Sequence, residues 1–89
     1  MKNTIQYCVV GLSHKNADLV TRGSFSLDKH QTESLLAQAK ADGVEELMVI
    51  STCNRTELMG IVHDPKILVD YLCSFSGGDV SLFLEKGYV

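Results

Sequence analysis

The chemistry in this chain is concentrated in one run, Ser51-Thr52-Cys53-Asn54-Arg55-Thr56-Glu57. A single cysteine stands between short polar residues, two positions before an arginine. Apolar β-forming stretches flank it: Leu47-Met48-Val49-Ile50 upstream and Leu58-Met59-Gly60-Ile61-Val62 downstream. A thiol at a polar break between two buried strands is held in place and still meets solvent. That setting suits a nucleophile better than a packing cysteine. A neighbouring cation that makes a thiol more acidic also makes it a weaker nucleophile, so charge alone yields only a few-fold gain. Positioning can contribute effective molarities on the order of 10⁵ M or more. Arg55 is therefore better suited to a substrate carboxylate, which its planar fork can bind in bidentate fashion.

The other candidates are weaker. Cys8 lies in a strand and Cys73 on a helix with an apolar stripe, so both read as packing residues. His14 follows a tight Gly11-Leu12-Ser13 exit and reads equally as a functional contact or as ordinary loop polarity. His30 and His63 read as solvent-facing or capping residues. Glu57 reads as a partner of Arg55 or a solvent-facing carboxylate rather than an acid/base group. The histidines and cysteines lack metal-ligand spacing, so no metal site is expected. Gly11 stands alone, without a glycine-rich phosphate loop, so no nucleotide site is expected in this chain.

Two strands and a turn must position the thiol, and the rest of the pattern says how. Residues 5–12 read as a first strand, followed by a polar loop from Ser13 to Ser26. Ser26 or Asp28 can cap a helix running to about Ala41, with Gln31 placed as in a capping box. Thr32, Leu35, Leu36 and Ala39 form its apolar face, and Asp42-Gly43 ends it. Strands follow over about Glu46–Ser51 and Arg55–His63. Asp64-Pro65 opens a second helix with Leu68, Tyr71, Leu72 and Phe75 on one face, stopped by Gly77-Gly78. Leu82 to Val89 reads as a fourth strand, weakened by Gly87. The order β-α-β-β-α-β predicts a ferredoxin-like α+β domain: a four-stranded antiparallel sheet with both helices on one face.

Eighty-nine residues make one domain, burying roughly 60–65% of the unfolded surface. A hydrophobic fraction of 45% with 21% charged residues is ordinary for a soluble globular protein. No apolar run reaches the ~20 residues of a membrane span. The start, Met1-Lys2-Asn3-Thr4, lacks a signal-peptide cleavage pattern, and three cysteines without CxxC spacing read as reduced thiols. A cytoplasmic location is therefore expected. The formal charge of −3 with eight Lys and Arg excludes a broad basic surface that wraps a duplex, but permits local contact with an RNA end.

Two segments together resemble the amino-terminal catalytic domain of the glutamyl-tRNA reductase family. One is Val10-Gly11-Leu12-Ser13-His14-Lys15-Asn16-Ala17, near that family's Gly-Leu-Ser-His-Lys-Thr-Ala-Pro opening. The other is Ser-Thr-Cys-Asn-Arg-Thr-Glu, residues 51–57, which is its signature. The spacing between the two also fits. Asp18 stands where the family usually has proline, and Leu19 to Gly23 drifts from its Ile-Arg-Glu pattern. The resemblance implies that Cys53 attacks the ester joining glutamate to tRNA, giving a glutamyl thioester. It further implies that NADPH reduces the thioester to glutamate-1-semialdehyde for tetrapyrrole synthesis. Thr52, Asn54, Arg55 and His14 would bind substrate, with Arg55 holding a carboxylate.

Family members continue with a histidine-bearing helix, a serine-rich turn, a Rossmann-type NADPH domain and a helical dimerisation domain. None of these lies within the 89 residues, and the chain stops at the end of its last expected strand. A fragment that cannot complete the reaction alone is therefore expected, from a protein that is a homodimer and hands its product to the downstream aminomutase. Two rival readings stand beside this one. The chain could be a small ferredoxin-like regulatory or binding module in which Cys53 is incidental. It could also be a cysteine hydrolase, in which His14 must come within hydrogen-bond reach of Cys53.

Overall fold

The structure, a computed structural model, describes residues 5–44 and 46–89; residues 1–4, read above as lacking a leader pattern, lie outside them. The elements run β1 (Gln6–Ser13), α1 (Leu19–Ser24), α2 (Lys29–Ala41), β2 (Leu47–Ser51), β3 (Arg55–Val62), α3 (Pro65–Ser76) and α4 (Val80–Lys86). The strands form one antiparallel sheet in the order β1-β3-β2. Strand β3 is central. Ser13 pairs with Arg55, Val10 with Leu58, and Ser51 with Thr56.

Period-two alternation divides the sheet into two faces. Along β3, Thr56, Leu58, Gly60 and Val62 are buried, while Arg55, Glu57, Met59 and Ile61 point to the opposite, open face. The buried face joins Cys8, Val10 and Leu12 of β1 to Leu35 of α2 and Leu68, Val69, Leu72 and Cys73 of α3. Burial raises the pKa of the Cys73 thiol, with the nearby Asp70 and Asp79 charges adding to the effect. Both Cys8 and Cys73 are thus packing residues, whereas Cys53 is exposed.

The helix ends follow their sequence signals. Asp28 and Gln31 form a reciprocal capping box at the start of α2. Asp64 caps α3, whose first turn carries Pro65. Gly77 closes α3 in the left-handed conformation at φ 82°, where a side chain would be strained.

The ferredoxin-like expectation is overturned. Among the described residues the sheet has three strands, not four, and four helices accompany it. The expected fourth strand, Leu82 to Val89, is mostly α4. Asp79 caps that helix by accepting from the Ser81 amide, and Phe83 is buried edge-on against Phe25 with ring centroids 5.8 Å apart. A helix places Phe83 inward while Leu84 and Glu85 stay exposed. What remains of the expected strand is an isolated bridge between Tyr88 and Gly11. The expected loop from Ser13 to Ser26 also contains a helix, α1, capped by Asp18. The Asp18 carboxyl is held below its ordinary pKa mainly by the hydrogen bond from the Thr21 amide.

Candidate active site

Strand β2 ends at Ser51 and β3 begins at Arg55, so three residues make the connection that carries the thiol. The Thr52 amide donates to the Arg55 carbonyl at 2.8 Å. The Thr52 hydroxyl accepts from the amides of Asn54 at 3.2 Å and Arg55 at 3.3 Å. Hydroxyl-to-backbone bonds of this kind stabilise tight turns. The base of the turn is pinned by the Ser51 and Thr56 hydroxyls, 3.1 Å apart, and by the Leu27 amide, which donates to Ser51 Oγ at 3.0 Å.

The loop after β1 grips the same turn from the other side. The His14 amide donates to the Asn54 carbonyl at 2.9 Å. Arg22 Nε donates to the Cys53 carbonyl at 3.1 Å, and Arg22 Nη1 donates to the Ala17 carbonyl at 2.8 Å. The carbonyls of Cys53, Asn54 and Arg55 are therefore all engaged. The backbone bearing the thiol is fixed although the thiol is exposed.

Beside the turn lies an open cavity of about 560 Å³. His14, Thr52, Asn54 and Arg55 line it together with Glu57 and Tyr88. Four of the five residues expected from the sequence thus share one cavity. Cys53 does not line it; it stands on the adjoining turn. His14 meets the turn through its backbone amide rather than its imidazole.

The cavity carries both signs of charge. Arg55 Nε lies 3.8 Å from Glu57 Oε1, with the arginine side chain half exposed and the carboxylate mostly covered. The Tyr88 hydroxyl donates to Glu57 Oε2. Burial first, and then this carboxylate, push the Tyr88 pKa up to about 12. The pairing of Arg55 with Glu57 is the one the sequence suggested. Glu57 and Arg55 share a face because they lie two apart on β3.

Glycine 11 lets the wall close. Its amide and carbonyl bond the Tyr88 carbonyl and amide at 2.9 and 2.8 Å. A Cβ there would sit 2.7 Å from Glu57 Cγ and press on the Thr56 carbonyl. Sequence reasoning missed Arg22 and Tyr88 as site residues. Arg22 lay in a presumed loop and Tyr88 in a presumed strand, and nothing local in the sequence signals either contact.

Residues 10–89 match the protein family described as Glutamyl-tRNAGlu reductase, N-terminal domain. This chain belongs to the glutamyl-tRNA reductase N-terminal domain family. Its relatives agree. It is 46% identical over 89 residues to "Glutamyl-tRNA reductase 2" of Flavobacterium johnsoniae, covering 100% of this chain and 20% of that protein. It is 45% identical over 83 residues to a glutamyl-tRNA reductase of Flavobacterium psychrophilum, covering 93% and 20%. A glutamyl-tRNA reductase of a Picosynechococcus species is 40% identical over 79 residues, covering 88% and 19%. The chain spans about a fifth of the length of these relatives. Among the described residues, no helix is long and apolar enough to cross a membrane. Nor do three His, Cys, Asp or Glu side chains among them gather as a metal site would require.

Proposed function

We propose that this chain is the acyl-accepting part of a glutamyl-tRNA reductase acting in tetrapyrrole synthesis, with Cys53 as the nucleophile. The observation that carries this reading is an exposed thiol on a turn whose backbone is fixed, adjoining a cavity that holds Arg55. The Cys53 sulfur attacks the carbonyl carbon of the glutamyl ester. A C–S bond forms, the ester C–O bond breaks, and the thiol proton ends on the ribose hydroxyl that leaves. Arg55 pairs with the side-chain carboxylate of the glutamyl group through its guanidinium fork. Asn54 and His14 supply polar contacts from the cavity wall, and Thr52 holds the turn. Lys15, also in the cavity lining, adds positive charge where the acceptor end of the tRNA would arrive.

Among the described residues, none offers a fitting seat for the family's hydride donor, NADPH. Gly11 has both backbone groups committed to Tyr88. The four helices among the described residues each begin at an aspartate, Asp18, Asp28, Asp64 or Asp79, whose carboxylate accepts from a first-turn amide. Those amides are the groups a phosphate would need, and the carboxylates would repel it. NADPH is therefore assigned to no residue of this chain.

The test is to incubate the chain with glutamyl-tRNA carrying labelled glutamate and map the adduct by peptide mass spectrometry. The expected result is glutamate on the Cys53 peptide and none after Cys53→Ser. Label on another residue, or label retained in the serine variant, refutes the assignment.

A further inference from the structure

The contacts of Arg22 carry an inference beyond the role of the thiol, and it rests on that role. Arg22 is not among the residues that line the cavity, and its hydrogen bonds run to the backbone rather than into that space. Its side chain is spent on two backbone carbonyls. One belongs to Cys53 itself, the other to Ala17 in the loop that leads from His14 into α1. We infer that Arg22 is a positioning residue, whose guanidinium ties the carbonyl of Cys53 to the 14–18 loop and so aims the Cys53 thiol at the cavity.

Three observations support this. First, the geometry uses the arginine fork: donors on Nε and Nη1 reach two acceptors from one planar group, which a lysine ammonium on a flexible stem cannot reproduce in fixed directions. Second, Arg22 is anchored from below. Phe25, three residues on, is fully buried against Phe83 and closes α1 by donating its amide to the Arg22 carbonyl. The core therefore anchors the backbone from which the guanidinium reaches. Third, the Cys53 carbonyl has no other partner in the turn: Thr52 holds the Arg55 carbonyl and His14 holds that of Asn54. Without Arg22, the one residue that carries the thiol is the one whose carbonyl goes unheld.

The experiment compares two reagents on the same sulfur. The α-thiobenzyl ester of L-glutamate acylates Cys53 by exchange. The Cys53 sulfur bonds to the acyl carbon, the carbon–sulfur bond to the benzyl thiol breaks, and the Cys53 proton leaves on that thiol. This transfer needs the glutamyl group seated in the cavity, whereas iodoacetamide needs only an accessible thiol. Rates at Cys8, Cys53 and Cys73 are read separately by mass spectrometry.

In Arg22→Ala the ratio of acylation to alkylation at Cys53 is expected to fall by about 10–100-fold. Cys8 and Cys73 are expected to stay protected. Arg22→Lys, keeping the charge but not the fork, is expected to fall between this variant and the unaltered chain. An unchanged ratio in a folded Arg22→Ala variant overturns the inference. If Arg22→Ala instead exposes Cys8 and Cys73, the lysine variant decides: a lowered ratio in the folded chain supports the inference, and an unaltered one overturns it. If the unaltered chain is alkylated at Cys53 but never acylated, the nucleophile assignment fails and this inference falls with it.

Discussion

Replacing Thr52 by valine removes one oxygen from the cysteine turn and keeps the β-branched shape. That hydroxyl accepts two backbone amides, from Asn54 at 3.2 Å and Arg55 at 3.3 Å. Intramolecular hydrogen bonds contribute about 0.5–1.5 kcal/mol each in net terms. These two are long and exposed, so water competes for the freed amides, and the pair is expected to contribute only about 1 kcal/mol in total. The Thr52 amide still donates to the Arg55 carbonyl at 2.8 Å, which prevents the hairpin from coming apart. A domain of this size loses about 4–8 °C of Tm per kcal/mol, and a drop in that range is expected for Thr52→Val. Acylation of Cys53 by a glutamyl thioester should fall by about tenfold relative to iodoacetamide labelling, because the thiol loses its fixed direction. Thr52→Ser retains the oxygen and should restore both. A valine variant that melts within about 2 °C of the parent and acylates normally would refute this account of the turn.

Two further outcomes follow from the cavity wall and from two partly buried phenols. Gly11→Ala forces a methyl to within 2.7 Å of Glu57 Cγ in the central strand, and overpacking of this kind costs about 1–3 kcal/mol. A urea midpoint equal to that of the parent would show that the wall yields freely. Tyr71, bonded to Asp42, and Tyr88, bonded to Glu57, both ionise near 12 rather than at the ordinary 10.0. The unfolded chain therefore loses these protons first, so the stability the two tyrosines contribute is intact below pH 10.0 and falls as pH rises towards about 12. Cys73, also raised, adds to the decline from the thiol range upward. Urea midpoints measured across this window should fall less steeply in the Tyr71→Phe, Tyr88→Phe double variant; an identical slope would refute the assignment.

What could be read directly from the sequence was whatever is encoded locally. Asp28 with Gln31, Asp64 before Pro65, and Gly77 each fix a helix end through atoms within four residues, and all act as their types predict. The two strands around Cys53 are recognisable because β3 alternates buried and exposed residues and a polar run interrupts the apolar ones. Thr52, Asn54 and Arg55 lie next to one another on the turn, so finding one located the others. The misreadings came from elements whose form is decided by distant partners. Leu82, Phe83 and Leu84 carry no pattern that separates a short helix from a strand; the packing of Phe83 on Phe25 settles it. Helix α1 has only six residues and no buried side chain, so no apolar stripe could announce it. Arg22 reaches Cys53, and Tyr88 reaches Glu57, across 31 residues each. Such pairs become visible only when the path of the chain is known.

The seam between Gly11 and Tyr88 joins parts of the chain that are made at different times. Almost the whole chain separates the two residues, and a ribosome delivers the first of them long before the second. A nascent polypeptide therefore carries Cys53 before the residue that bounds one side of the neighbouring recess has been made. Tyr88, once beside β1, adds its hydroxyl to the Glu57 carboxylate that already shares a strand face with Arg55. The recess beside the thiol is thus bounded by residues from distant stretches of the chain, and its wall exists only where those stretches meet.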